Sequence, residues 1–219
     1  LDIDGGTDIG AALVDADLMI VDDGAGGTNR KATMARLATY MGTKITGGSK
    51  VFIASSGVLD GVASVQFRAQ DGHFDATKYD HYEFMFQNVI PVNDNVVMNC
   101  QTSTNDGGAY ASTDGNYKAG PAVDAIGLRV TGLGAGSDSN EYGVSGTFYL
   151  VAPHLNTYTM GISHCVVYYF NGSLYHMARE ADGVSVRISD EDTDAVKFLF
   201  ASGNIESGEI VMYGIANGT

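Results

Sequence analysis

The sequence predicts an all-β chain, an antiparallel β-sandwich of jelly-roll type preceded by a small strand, loop and helix segment. Three observations predict it. The 219 residues include 29 Gly, 12 Tyr and 9 Phe but only 3 Pro, a composition suited to many short strands joined by tight turns. From about Ile45 onward the apolar pattern has period two, the mark of strands with one face toward a core. Ahead of that point lies a single short helix-period stretch, so the chain divides into an N-terminal segment, residues 1–45, and a sandwich domain, residues 46–219. With 44 % hydrophobic residues the chain can bury one sizeable core.

The first 23 residues hold seven Asp and no Lys or Arg, and Arg30, Lys31 and Arg36 follow closely, which sets this stretch apart. Leu18-Met19-Ile20-Val21 reads as a strand, Asp22 to Gly27 as a glycine loop, and Thr28 as the N-cap of a helix that ends at Met41 before Gly42. Met34, Leu37, Ala38 and Met41 follow the i, i+3, i+4, i+7 spacing of an apolar stripe. A helix this short is not stable alone, so the stripe needs a cover, and these four residues are the candidates for assembly. Three copies around an axis would cover it; folding back on the sandwich is the competing arrangement.

In the sandwich domain the alternating sets follow one another with polar partners on the outward faces. Val65, Phe67 and Ala69 come first, then Tyr82, Phe84 and Phe86; Val96, Met98 and Cys100; Ile126, Leu128 and Val130; and Phe148 and Leu150. Residues 162–170 and 174–179 flank Asn171-Gly172, a dipeptide suited to a two-residue hairpin turn. Val184, Val186 and Ile188 form another set, Val196, Phe198 and Phe200 the next, and Ile210 and Met212 the last, roughly eleven strands in all. Two sheets packed face to face hold them most simply, with an eight-stranded barrel as the nearest alternative.

The formal charge of -14, from 26 acidic and 12 basic residues, repels polyanions and anionic surfaces, which argues against nucleic acid as a partner. No run approaches the roughly 20 apolar residues of a membrane helix, so no membrane insertion is expected. Cys100 and Cys165 lie in apolar strand-like runs and read as free thiols.

Motifs for chemistry are incomplete. Gly24, Gly26 and Gly27 precede a helix, yet Asn29 stands where a dinucleotide fingerprint needs glycine, and Asp22 and Asp23 would repel phosphate; no cofactor is expected. The five histidines show no zinc spacing. Asp2, Asp4 and Asp8, or Asp190, Glu191, Asp192 and Asp194, supply oxygen ligands without the spaced calcium loop, and read better as solvated acidic turns. Gly161-Ile162-Ser163-His164-Cys165 lacks the second glycine of a nucleophile elbow. Glycoside hydrolysis depends on a carboxylate separation that only a fold defines. Tyr110, Tyr117, Asn140 and Tyr142, set in loops, have side chains that stack on sugars or bond their hydroxyls, and are the receptor-contact candidates.

Two stretches carry a family resemblance. Phe200-Ala201-Ser202-Gly203-Asn204-Ile205, then Ser207-Gly208-Glu209-Ile210 and Tyr213-Gly214-Ile215, resembles the closing hairpin of a β-sandwich at the ends of bacteriophage tail fibres. Tyr79-Asp80-His81-Tyr82-Glu83-Phe84, Asn88-Val89-Ile90-Pro91, and Thr102-Ser103-Thr104 with Asp106-Gly107-Gly108 follow the order of the same family, so the resemblance covers much of residues 60–215. Asp17 to Asp23 with Asn29-Arg30-Lys31 is similar to a connector of trimeric phage fibre and baseplate proteins. The resemblance implies a virion structural protein and not an enzyme. It implies a homotrimer joined to other virion proteins through the N-terminal segment, with the sandwich meeting a host-surface glycan or protein. A capsid-decorating or fibre-closing protein without a receptor, and more remotely a polysaccharide depolymerase, are the rival readings.

Overall fold

The computed structural model describes residues 10–22, 29–44, 50–113, 115–119, 123–137, 142–170, 176–180 and 183–216. The chain forms two compact units, Leu1–Gly48 and Ser49–Thr219.

In the first unit, β1 (Leu18–Asp22) and β2 (Asn29–Thr33) form an antiparallel hairpin in register from Leu18 opposite Thr33 to Asp22 opposite Asn29. Helix α1 (Met34–Lys44) follows at once. This corrects the expected helix. Residues 29–33 are claimed by the ladder with β1, and the helix begins where the ladder ends. Thr33 caps it, its Oγ1 accepting the Arg36 N–H at 3.3 Å, while the carbonyls of Asp17 and Asp15 accept the N–H groups of Met34 and Ala35 at 2.9 and 3.3 Å. The helix also continues through Gly42 to Lys44, since glycine in a last turn costs only about 1 kcal/mol relative to alanine. Thr28 lies outside the described residues. No described side chain of this unit is buried.

The second unit is the sandwich, which the sequence pattern anticipates. Its strands are β3 (Lys50–Ser55), β4 (Leu59–Val62), β5 (Val65–Arg68), β6 (Tyr79–Pro91), β7 (Met98–Ser103), β8 (Tyr117–Ala119) and β9 (Val123–Ala125). They continue with β10 (Leu128–Arg129), β11 (Val144–Val151), β12 (Met160–Phe170), β13 (His176–Glu180), β14 (Gly183–Arg187), β15 (Ala195–Phe200) and β16 (Ile205–Ala216). A ten-stranded sheet runs β3-β16-β6-β11-β12-β14-β8-β9, with β4 beside β16 and β13 beside β12. A four-stranded sheet runs β10-β7-β15-β5. The pairings are antiparallel throughout both sheets.

Ile126, expected to face inward with Leu128 and Val130, is exposed; most of the alternating sets meet in the core between the sheets. Phe198 on β15 is its hub, with ring centroids 4.8 Å from Phe84, 5.3 Å from Phe86, 5.9 Å from Phe148 and 6.3 Å from Phe67. Edge-to-face rings of this kind add packing energy beyond the area they bury. Cys100 and Cys165 are both buried free thiols.

Three local expectations need correction. Ala69 does not continue the β5 face; it opens a single 3₁₀ turn, Ala69–Asp71. Strands β12 and β13 pair antiparallel, but Phe170 stands opposite His176, whereas a two-residue Asn171-Gly172 turn would set it opposite Ser173. That dipeptide lies outside the described residues. On β14 the apolar alternation is turned outward: Gly183, Ser185 and Arg187 are buried and Val184 is exposed. The cause is the close approach of β10, because Ser185 Oγ accepts the Arg129 N–H at 2.8 Å and a Cβ on residue 183 would stand 2.8 Å from the Arg129 carbonyl oxygen. Valine fits neither inward position.

Candidate functional site

The three loop candidates among the described residues separate in the fold. Tyr117 is wholly buried on β8, its hydroxyl accepting the Thr102 N–H at 2.9 Å and donating to the Ala111 carbonyl at 3.1 Å. It is a core residue and cannot touch a receptor, which corrects its assignment; the short strand it sits on turns its ring inward. Tyr110 is half-buried and engaged, with its hydroxyl donating to Gln66 Oε1 at 3.1 Å and Lys197 Nζ 4.5 Å from its ring centre. Burial pushes its hydroxyl pKa up to about 12. Asn140 lies outside the described residues. Of the three described candidates Tyr142 alone is broadly exposed, propped edge-on against Tyr168 at 5.3 Å.

Tyr142 forms one wall of a shallow groove of about 400 Å³ whose other lining includes Val58, Gln87, Asn88, Ser207 and Glu209. Three interruptions of strand geometry coincide to make it. Asn88 on β6 has φ of 47°, a left-handed conformation that asparagine tolerates better than most residues. The β6–β16 register shifts between Ser207 and Glu209, and the β6–β11 register between Val144 and Gly146. Such bulges re-aim side chains that a regular ladder would hold flat. Glycine is required at two close approaches to β6: a Cβ on Gly143 (φ +57°) would meet the Val89 carbonyl oxygen at 2.2 Å, and one on Gly208 (φ +115°) the Asn88 carbonyl oxygen at 2.5 Å.

The groove presents mixed hydrogen-bonding chemistry beside an aromatic ring. Asn88 is fixed by Ser145, whose Oγ donates to Asn88 Oδ1 at 2.9 Å and accepts the Asn88 N–H at 3.1 Å. Ser55 Oγ donates to Glu209 Oε1, steadying the carboxylate. Gln87 is exposed and makes no side-chain hydrogen bond among the described residues, so both ends of its amide can serve a ligand. The volume lies within the range of small-ligand sites. Sequence reasoning found Tyr142 and missed Gln87, Asn88 and Glu209, because they belong to strands and not to loops. The available signal was Gly143 and Gly208 breaking strand patterns on either side of Asn88.

A second hollow, of about 150 Å³, is lined by Phe74, Tyr82, His154, Asp192 and Asp194. Asp194 is tied to the fold there, its Oδ1 accepting the Asp106 N–H at 2.8 Å, and burial raises its pKa. Among the described residues no cluster of His, Cys, Asp and Glu is arranged to hold a metal ion, Asp190 to Asp194 included; Asp2, Asp4 and Asp8 lie outside those residues.

In the first unit the assembly candidates also separate. Leu37 lines an apolar hollow of about 310 Å³ with Met19, Val21, Ala32, Arg36 and Tyr40, between helix and hairpin. Met34 is half-buried, and Ala38 and Met41 are exposed. Leu18 and Ile20, which alternate with the residues that face the helix, are exposed as well.

No family model matches the chain, and neither the curated proteins nor the solved structures searched contain a match. Among the described residues no helix is long and apolar enough to cross a membrane.

Proposed function

We propose that the chain is a structural component of a bacteriophage virion fibre whose sandwich contacts a host-surface glycan through the groove beside Tyr142. The observation that carries this reading is the combination within one groove of an exposed tyrosine with two side-chain amides, a hydroxyl and a carboxylate, the last four carried on β6 and β16. A sugar offers C–H faces to the ring and hydroxyls to the amides and carboxylate, and that pairing of apolar and polar surface is what the groove provides. The tail-fibre resemblance of the closing strands supplies the biological setting, and Ser207, Gly208 and Glu209 of that stretch are themselves part of the groove.

The first unit fits an assembly role. Its hairpin and helix leave Leu18, Ile20, Tyr40 and Met41 exposed and bury no described side chain, so its apolar surface calls for a partner. A homotrimer, or a junction with other virion proteins, would supply one.

Binding of the full chain to an array of bacterial surface polysaccharides tests the reading. The parent is expected to bind a subset, and Tyr142→Ala to weaken that binding by about tenfold or more, the equivalent of roughly 1.4 kcal/mol of lost contact. Absence of binding by the folded parent, or equal binding by the variant, overturns the assignment.

A further inference from the structure

Charge is distributed unevenly along the second unit, and the groove beside Tyr142 is built from its acidic stretches. The described lining comes from four of them: Val58 from residues 51–67, Gln87 and Asn88 from 79–117, Tyr142 from 130–178, and Ser207 and Glu209 from 198–219. Together these stretches hold ten Asp and Glu and no Lys or Arg; the eight Lys and Arg of the second unit all lie outside them. Lys50 begins the strand that carries Ser55, but it sits about 17 Å from Ser55 at the ordinary strand rise. It is also committed to Glu83, with Nζ 2.7 Å from Oε1. In the groove itself Glu209 is the one charged residue of the described lining. It stands opposite Gln87 in the β6–β16 ladder and is half-buried. Ser55 holds one of its oxygens, and the other accepts no hydrogen bond among the described residues.

We infer that the groove takes a glycan without acidic sugars, neutral or amine-bearing, and that Glu209 is the residue that rejects acidic ones. This specificity rests on the glycan-contact role proposed for the groove. A groove of about 400 Å³ is roughly 9 Å across if compact, so every group of a sugar seated in it lies within about one Debye length of Glu209 at physiological salt. A sugar carboxylate or phosphate there meets like charge, and it loses water with no cation to replace that water. The amide donors of Gln87 and Asn88 serve a hydroxyl or carbonyl oxygen instead, which needs no counter-charge. The free oxygen of Glu209 is an acceptor only, so it fits a hydroxyl or an ammonium donor. The formal charge of -14 adds a repulsion of the same sign at longer range, so an acidic polysaccharide is disfavoured on approach as well as on contact.

Binding of the full chain to bacterial surface polysaccharides tests it, each neutral polysaccharide that the chain binds being compared with its own C6-oxidised form. Oxidation turns primary hydroxyls into carboxylates and leaves the linkages as they were. For the parent, oxidation is expected to weaken binding by about tenfold or more. Glu209→Gln keeps an acceptor for Ser55 and removes the charge, so its loss on oxidation should be about threefold or less. Glu209→Asp, which keeps the charge, should reject the oxidised form as the parent does. Raising the salt from about 0.05 to 0.5 M should shrink the loss in the parent and leave that of Glu209→Gln nearly unchanged, which a merely structural role for Glu209 would not produce. A melting curve checks that each variant is folded. Preference of the parent for acidic polysaccharides overturns the inference while leaving the groove a glycan site, and so does an equal loss on oxidation in the parent and Glu209→Gln. No binding by the folded parent, or binding that Tyr142→Ala does not alter, removes the site itself and the inference with it.

Discussion

His73 ties a loop to the core through a bond that works only when its ring is neutral. Its Nδ1 accepts the Arg68 N–H at 3.2 Å, and its ring lies 5.5 Å from that of Phe67. Burial lowers its pKa below the ordinary 6.5, and the nearby Arg68 guanidinium lowers it further, against an opposing pull from Asp71. The unfolded chain therefore binds this proton more readily than the folded one. The contribution to stability is complete above about pH 6.5 and declines as the pH falls below that value toward the depressed folded pKa. Between about pH 7 and pH 5, the parent should lose more melting temperature than His73→Gln, whose side chain does not titrate. Parallel curves for the two proteins would contradict this. The sequence marked His73 only as one of five histidines without a zinc spacing, because its role comes from contacts with Arg68 and Phe67 that the sequence pattern does not show. Tyr117 was misread for a similar reason: a tyrosine in a glycine-rich stretch looks exposed until its hydroxyl finds Thr102 and Ala111 inside.

Among the elements, the coincident bulges of β6, β11 and β16 position the candidate site. Gly143 is among the tightest points, since a Cβ there would stand 2.2 Å from the Val89 carbonyl oxygen, whereas one on Gly72, also at positive φ, would meet nothing within 4 Å. Gly72→Ala should cost only the conformational strain, on the order of 1 kcal/mol. Gly143→Ala should cost more than that, because the backbone of β6 must move as well. Urea unfolding of the two variants measures the difference, and equal losses would show that the approach of β11 to β6 is not close. The strands themselves were legible, because aromatic and aliphatic residues at period two report a buried face directly. The orientation of β14 was not, because the choice between its two faces is made by β10, a neighbour through space. The start of α1 escaped for a comparable reason: residues 29–33 carry polar and basic side chains that suit a helix, and only the pairing with β1 makes them a strand.

At the level of the whole molecule, the sandwich architecture was readable from composition and alternation, whereas the groove was not, since it exists only where three strands bulge together. The charge of -14 acts at this scale too, opposing contact between copies wherever carboxylates face each other. The proposed role has the sandwich meet a host surface through the groove lined by Tyr142, Gln87, Asn88 and Glu209. Competition for phage adsorption tests it most directly, with the purified full chain added to host cells in excess before the phage. The parent is expected to slow adsorption, and Tyr142→Ala combined with Glu209→Gln to need at least about tenfold more protein for the same effect. Unaltered adsorption in the presence of folded parent protein, or equal competition by the double variant, would contradict it.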